Sequence, residues 1–268
     1  MHRIEVPGAQ IAWAFSDESG PPVVQSHGLT SSRSRDRSLD LDLGRGLSDT
    51  RLPRYDARGH GHSTGRPVPE DYLWPTLAED LLAPARGVVP RRAGARRGPL
   101  HGSGHAAPRG GTGARPLQRV HPLLPPTAWA TRAARAEEYR RAATFLEAHG
   151  VERVLAADAA APRPPAAPGR PDTVPHVAAD LLPAVYRGAA LSDLPAPEQI
   201  AGLAQPTTVL AWIGDPGHPV STAEALVSLM PNAAPQVAST PEEVRRWPAV
   251  LAADIARSPN PPGALTDR

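Results

Sequence analysis

Apolar positions along this chain come in short clusters, and the spacing inside each cluster predicts its element. Residues 2–6 (HRIEV) and 10–15 (QIAWAF) alternate on either side of Pro7-Gly8, which predicts an opening β-hairpin. PPVVQSHG, ending at Gly28, reads as a short buried strand running into a loop. RLPRYD, ending at Asp56, reads as the next strand, although Pro53 cannot donate a ladder hydrogen bond. TLAEDLLA carries Leu77, Leu81 and Leu82 at helical spacing, with Pro75 at a first-turn position.

The pattern then stops. Between residues 84 and 118, 26 of 35 positions are Arg, Gly, Pro or Ala, without periodicity and without an acid. It resumes with VHPLLPPTAW and with TRAARAEEYRRAATFLEAHG, a helix with a salt-bridged outer face that Gly150 should end. Residues 156–172 are low in complexity and read as loop. TTVLAWIGD then reads as a buried strand, and STAEALVSLM as a helix opened by a capping box from Ser221 to Glu224. VAST leads into PEEVRRWPAVLAADIA, with a second box from Thr240 to Glu243 around Pro241. Strand, helix, strand, helix in this order argues for a parallel α/β sheet.

Composition sharpens two points. The chain has no cysteine, which excludes disulfides, thiolate metal sites and Cys nucleophiles. It also has no lysine, so all 29 basic residues are arginine, the usage of a GC-rich genome. Ten of those arginines fall in 81–136, which holds no acid, while the remaining 19 face 27 acids elsewhere. An acidic body thus carries one strongly basic insert. With no basic leader and no long apolar run, a soluble cytoplasmic protein with no membrane partner is the expectation.

Four segments, VVQSHGLTSS, RYDARGHGHSTG with DYLWPTLAEDL, PPTAWATR, and LAWIGDPGHPVSTAEALVSLMPNA, together resemble the α/β-hydrolase superfamily, in particular its bacterial enol-lactonase, esterase and haloperoxidase-like branch. The D-x-R-G-H-G-x-S string beginning at Asp56 is the most specific of them. The resemblance implies one domain over 1–268: a doubly wound, mostly parallel sheet with a helical cap inserted at about 125–195. It implies acyl transfer from a small ester or lactone through a serine, with no cofactor and no metal. The chemistry needs a Ser on a strained turn, a His to take its proton, a carboxylate to orient the His, and two N–H groups for the oxyanion.

Carried over by position, Asp215 is the acid and Leu29, beside His27 and Gly28, donates one oxyanion N–H. The nucleophile elbow falls in GPLHGSGH, which makes Ser103 the nucleophile and Gly104 the second oxyanion donor. Here the chain departs from G-x-S-x-G, because His101 and His105 stand where the outer glycines belong. The departure fits an out-of-frame translation of GC-rich DNA between 84 and 118. No His follows the last strand, so His218, three residues beyond Asp215, is the base. In the turn, Asp56, Arg58 and His60 are structural, Asp56 is expected to pair with Arg58, and the His60/His62 pair reads as turn rather than metal site. Two other classes stay open: a catalytically inactive binding protein or damaged product, and nonspecific nucleic-acid binding by the arginine-rich insert. The insert's lack of interleaved aromatics argues against the last.

Overall fold

The computed structural model describes residues 1–15, 23–48, 50–88, 119–160, 163–167 and 174–257. The expected hairpin forms from β1 (His2–Val6) and β2 (Ala9–Phe15), and β3 (Pro53–Tyr55) joins β2 antiparallel with Trp13 opposite Tyr55. Pro53 sits at the end of that ladder, where a missing N–H costs least. The PPVVQSHG segment does not become a strand. Among its described residues Gln25 makes an isolated parallel bridge to Arg54, and the Val23 N–H reaches the Arg51 carbonyl at 2.9 Å.

A short helix α1 (Arg33–Ser38), capped by Ser32, follows the loop. Helix α2 (Trp74–Val88) has Pro75 in its first turn and continues through Pro84, so the irregular stretch begins as helix rather than at residue 84. Leu77 and Leu81 of α2 pack on Ile11, Tyr55 and Ala57 of the hairpin side.

Residues 125–195, expected to form a cap, hold α3 (Arg132–His149), α4 (Val151–Ala160) and α5 (Leu182–Ala190). Gly150 ends α3 at φ +78°, its N–H reaching the Leu146 carbonyl at 2.8 Å. The outer face of α3 carries the expected i,i+3 pairs, Arg135–Glu138 at 2.6 Å and Arg140–Glu137 at 3.1 Å. Residues 156–160, read above as loop, are helical instead, because alanine has the highest helix propensity and nothing in VLAADAA breaks the turn. Leu146, Val154, Leu182 and Val185 bury one another here, and Tyr72 and Leu29 pack against them.

The C-terminal part is α6 (Pro197–Ala201), β4 (Thr207–Trp212), α7 (Val220–Leu229), β5 (Ala233–Ala238), α8 (Pro241–Arg245) and α9 (Trp247–Ala256). Every residue of β4 is buried, and its two faces go to different helices. Val209 and Ala211 meet Ala223 and Leu226 of α7, while Leu210 and Trp212 meet Trp247 and Leu251 of α9. Helix α7 starts at Val220 after Pro219, so Ser221 lies inside the first turn and caps nothing. The Thr240–Glu243 box does form.

Among the described residues the sheets are smaller than a doubly wound, mostly parallel sheet. The β1-β2-β3 ladder is antiparallel and only β4-β5 is a parallel pair, flanked by parallel bridges from Val120 and Leu123 to β4. Residues 89–118 lie outside the described residues, and with them the expected elbow and most of the arginine-rich insert. No described helix is long and apolar enough to cross a membrane.

Candidate active site

The turn after β3 is built around buried polar groups. Asp56 is 1% exposed and accepts from the Arg33 backbone N–H at 3.0 Å, from Arg33 Nη2 at 3.1 Å and from the His62 N–H at 3.1 Å. Burial pushes its carboxyl up, but these donors outweigh that and hold it below the ordinary value. Gly61 makes the arrangement possible: it sits at φ +52°, and a Cβ there would lie 2.6 Å from Asp56 Cγ.

Asp56 does not pair with Arg58. Arg58 turns the other way and makes a bidentate bond to Asp80 of α2, Nε to Oδ2 at 2.6 Å and Nη2 to Oδ1 at 2.8 Å. The chain leaves β3 at Tyr55 and turns at Arg58, so Asp56 and Arg58 each find a partner on another element, Arg33 of α1 and Asp80 of α2. Burial pushes Asp80 above its ordinary value even with Arg58 beside it. Arg33 and Asp80 were invisible as partners in the sequence, because only the tertiary fold brings them to the turn.

His60 is buried, with Nδ1 2.7 Å from the Arg58 carbonyl and Nε2 2.6 Å from the Leu29 carbonyl. It therefore ties the turn to the loop that follows Gly28. His27 lies beside it, ring centres 5.0 Å apart, donating from Nδ1 to the Gly28 carbonyl and accepting at Nε2 from the Ala57 N–H. Both histidines are structural fasteners of the Leu29 loop. His62 is exposed, and among the described residues no group of three His, Asp or Glu could hold a metal.

At the end of β4 the chain turns through Gly214, at φ +76°, into Asp215. The Asp215 carboxylate accepts from Trp212 Nε1 at 2.8 Å, from the Gly217 N–H at 2.8 Å and from His218 Nδ1 at 2.9 Å. Burial pushes it up, yet His218, Trp212 and Gly217 together hold it well below the usual carboxylate range. Asp215 is thus ionised at neutral pH and fixes the tautomer of His218, whose other nitrogen, Nε2, has no partner among the described residues. The His218 side chain is 39% exposed. An orienting carboxylate on Nδ1 and a free, accessible Nε2 are what a general base requires. The Trp212 contribution was not foreseen; its only sequence signal is an indole three residues before the acid.

Ser103 and Gly104 lie outside the described residues. A cavity of about 350 Å³ lies between α3, α5 and the Pro67–Pro69 turn, lined by Leu146, Val151, Pro183 and Arg187 among others. None of its lining residues belongs to the Leu29 loop or to the Asp215 turn.

Neither a protein-family model nor a curated protein matches the chain. Solved structures do. A hydrolase from Pseudomonas aeruginosa PA01 is 20% identical with TM-score 0.69, over 95% of this chain and 96% of that one. The enol-lactonase from Burkholderia xenovorans LB400 is 18% identical with TM-score 0.66, over 95% and 99%. The Bottromycin epimerase BotH is 17% identical with TM-score 0.57, over 94% and 96%. The chain therefore has the α/β-hydrolase fold. An epimerase beside the hydrolases shows that the fold alone does not fix the reaction.

Proposed function

We propose that this chain is a serine hydrolase that acts on a small ester or lactone by acyl transfer. The observation that carries the reading is the 2.9 Å bond between Asp215 and His218 Nδ1 at the end of β4. It supplies an oriented, accessible base at the position where the fold expects its acid. In the reaction His218 Nε2 takes the proton of the serine hydroxyl as the hydroxyl attacks the carbonyl carbon. Asp215 stabilises the imidazolium that forms, and His218 then returns the proton to the leaving oxygen. The Leu29 N–H is one oxyanion donor, its loop held by His60. Ser103 is the nucleophile and Gly104 the second donor, both by their place in the chain. The esterase and enol-lactonase among the structural neighbours support the substrate class.

The test is a serine-reactive phosphonate on the folded chain. Stoichiometric adduct at Ser103, lost in His218→Gln, is the expected result. Folded protein without adduct at Ser103 points to a binding protein that kept the fold and lost the chemistry.

A further inference from the structure

A second serine–histidine arrangement lies in the described residues, away from Asp215 and His218. His176 reaches the N-terminal end of α1, where its Nδ1 stands 2.7 Å from Ser32 Oγ and 3.3 Å from Ser34 Oγ. The two hydroxyls are 3.1 Å apart. Ser32 is 0% exposed, whereas Ser34 faces solvent. The His176 backbone is clamped on both sides: its N–H donates to the Thr30 carbonyl at 2.9 Å, and its carbonyl accepts from the Gly61 N–H at 2.7 Å. The imidazole is thus presented by a fixed main chain.

The hydrogen-bond capacity of Ser32 gives the cluster a direction. A hydroxyl has one proton and two acceptor sites, and Ser32 has three neighbours. The Arg35 N–H, at 3.1 Å, can only donate to it. With Ser34 donating into the second acceptor site, the single Ser32 proton goes to His176 Nδ1, and every partner is satisfied. We propose that Ser34, Ser32 and His176 form a proton relay that makes the exposed Ser34 hydroxyl an acyl acceptor for small activated esters. As Ser34 Oγ bonds to the ester carbonyl carbon, its proton passes to Ser32 Oγ and the Ser32 proton passes to His176 Nδ1. The carbon–oxygen bond of the leaving group breaks, the leaving group departs as a stable anion, and His176 loses a proton from Nε2 to water. No carboxylate orients His176 among the described residues, so the relay serves esters whose leaving groups need no protonation.

The inference is independent of the Asp215–His218 reading, and one experiment separates them. The folded chain is treated with p-nitrophenyl acetate, and acetyl adducts are mapped by fragmentation mass spectrometry. The chain has no lysine, so side-chain amines do not compete for the acetyl group. The expected result is acetyl on Ser34, formed at least about 100-fold more slowly in His176→Gln and unchanged in rate in His218→Gln. Ser34→Ala should abolish that adduct with the circular dichroism of the chain unaltered, since the side chain is exposed. Ser32→Ala should slow it as well; if that variant unfolds, His176→Gln carries the test alone. A folded chain without acetyl on Ser34 overturns the proposal, whatever is found on Ser103. So does a Ser34 adduct that forms equally fast in His176→Gln, since that is the behaviour of an ordinary surface hydroxyl.

Discussion

His60 Nε2 stands 2.6 Å from the carbonyl oxygen of Leu29, and this bond joins the turn after β3 to the loop that would face an oxyanion. The other ring nitrogen faces the Arg58 carbonyl at 2.7 Å, so the imidazole spans two backbone acceptors. A neutral ring donates to one of them at a time, and protonation adds the second. Burial pushes His60 below its ordinary value, against the pull of both carbonyls and of Asp56.

Replacing His60 by Ala removes the one N–H that the neutral ring shares between the Arg58 and Leu29 carbonyls, and frees the Leu29 loop. The expected cost is at least about 2 kcal/mol of stability by urea denaturation. On the proposed function, ester hydrolysis should fall by more than the folded fraction does. Equal stability to the parent chain would show that the ring only fills space.

Asp80→Asn tests the second fastener of the turn. Arg58 and Asp80 are each only 3% exposed at the side chain and bond through two contacts. Removing one charge leaves the other buried and unpaired, which should cost about 3–5 kcal/mol. Asp71, 3.6 Å from Arg58, can take up part of the loss. Asp56→Asn should behave separately, because Asp56 is paired with Arg33 rather than Arg58, and the two changes should be nearly additive in denaturation.

The same pair shows what the sequence could and could not convey. The turn itself was legible from RGHGHSTG, since glycines at positive φ and a short acid leave their mark in a few consecutive residues. The hairpin, β4, α3 and the Thr240–Glu243 box were legible for the same reason. Partners from elsewhere were not: Arg33 is 23 residues from Asp56, and Asp80 is 22 from Arg58. The strand expected at Val23–Val24 failed because pairing depends on what lies alongside, not on apolar content. Helix α4 was missed because an alanine run reads as low complexity, although alanine favours helix. In the candidate site the motif offered Asp215 as the expected acid; that His218 closes onto it is a property of the 215–218 turn that only geometry reveals.

His218→Gln and Asp215→Asn should each reduce ester hydrolysis by about 10²–10⁴-fold on the proposed mechanism, with small effects on KM. Asp215→Asn should be the more revealing. With its amide oxygen at the Oδ1 position it keeps the Gly217 bond, but it sets the NH2 against Trp212 Nε1 and His218 Nδ1 and so no longer favours the Nδ1–H tautomer of His218. Steady-state rates on a short-chain ester read this directly. Undiminished turnover in both variants would remove this pair from the mechanism.

Thr240→Ala removes the side-chain acceptor for the Glu243 N–H and opens the box before α8. The cost should be about 1 kcal/mol, seen as a lower thermal midpoint with activity per folded molecule unchanged. A larger loss would mean that α8 also governs the packing of Trp247 beneath β4.

Acid sensitivity should come first from His27. Its neutral ring is satisfied on both sides, donating to Gly28 at 2.9 Å and accepting from the Ala57 N–H at 2.8 Å, so a proton on Nε2 would set two N–H groups against each other. Burial first, and then the nearby His60, push its pKa from 6.5 down to about 3. The sign follows from the proton count. Between those two values the unfolded chain binds more protons than the folded one, so the stabilisation is complete above about pH 6.5 and drains away as pH falls toward 3. Carboxylates held low in the fold, Asp56 and Asp215 among them, add their loss only below their unfolded value of 3.8. Urea denaturation at about pH 7, 6, 5 and 4.5 therefore follows His27 ahead of the carboxylates held low. His27→Asn, which does not titrate there, should start from lower stability at neutral pH and lose less of it on acidification. Parallel pH profiles for the two proteins would show that His27 is protonated in the fold as easily as in the open chain.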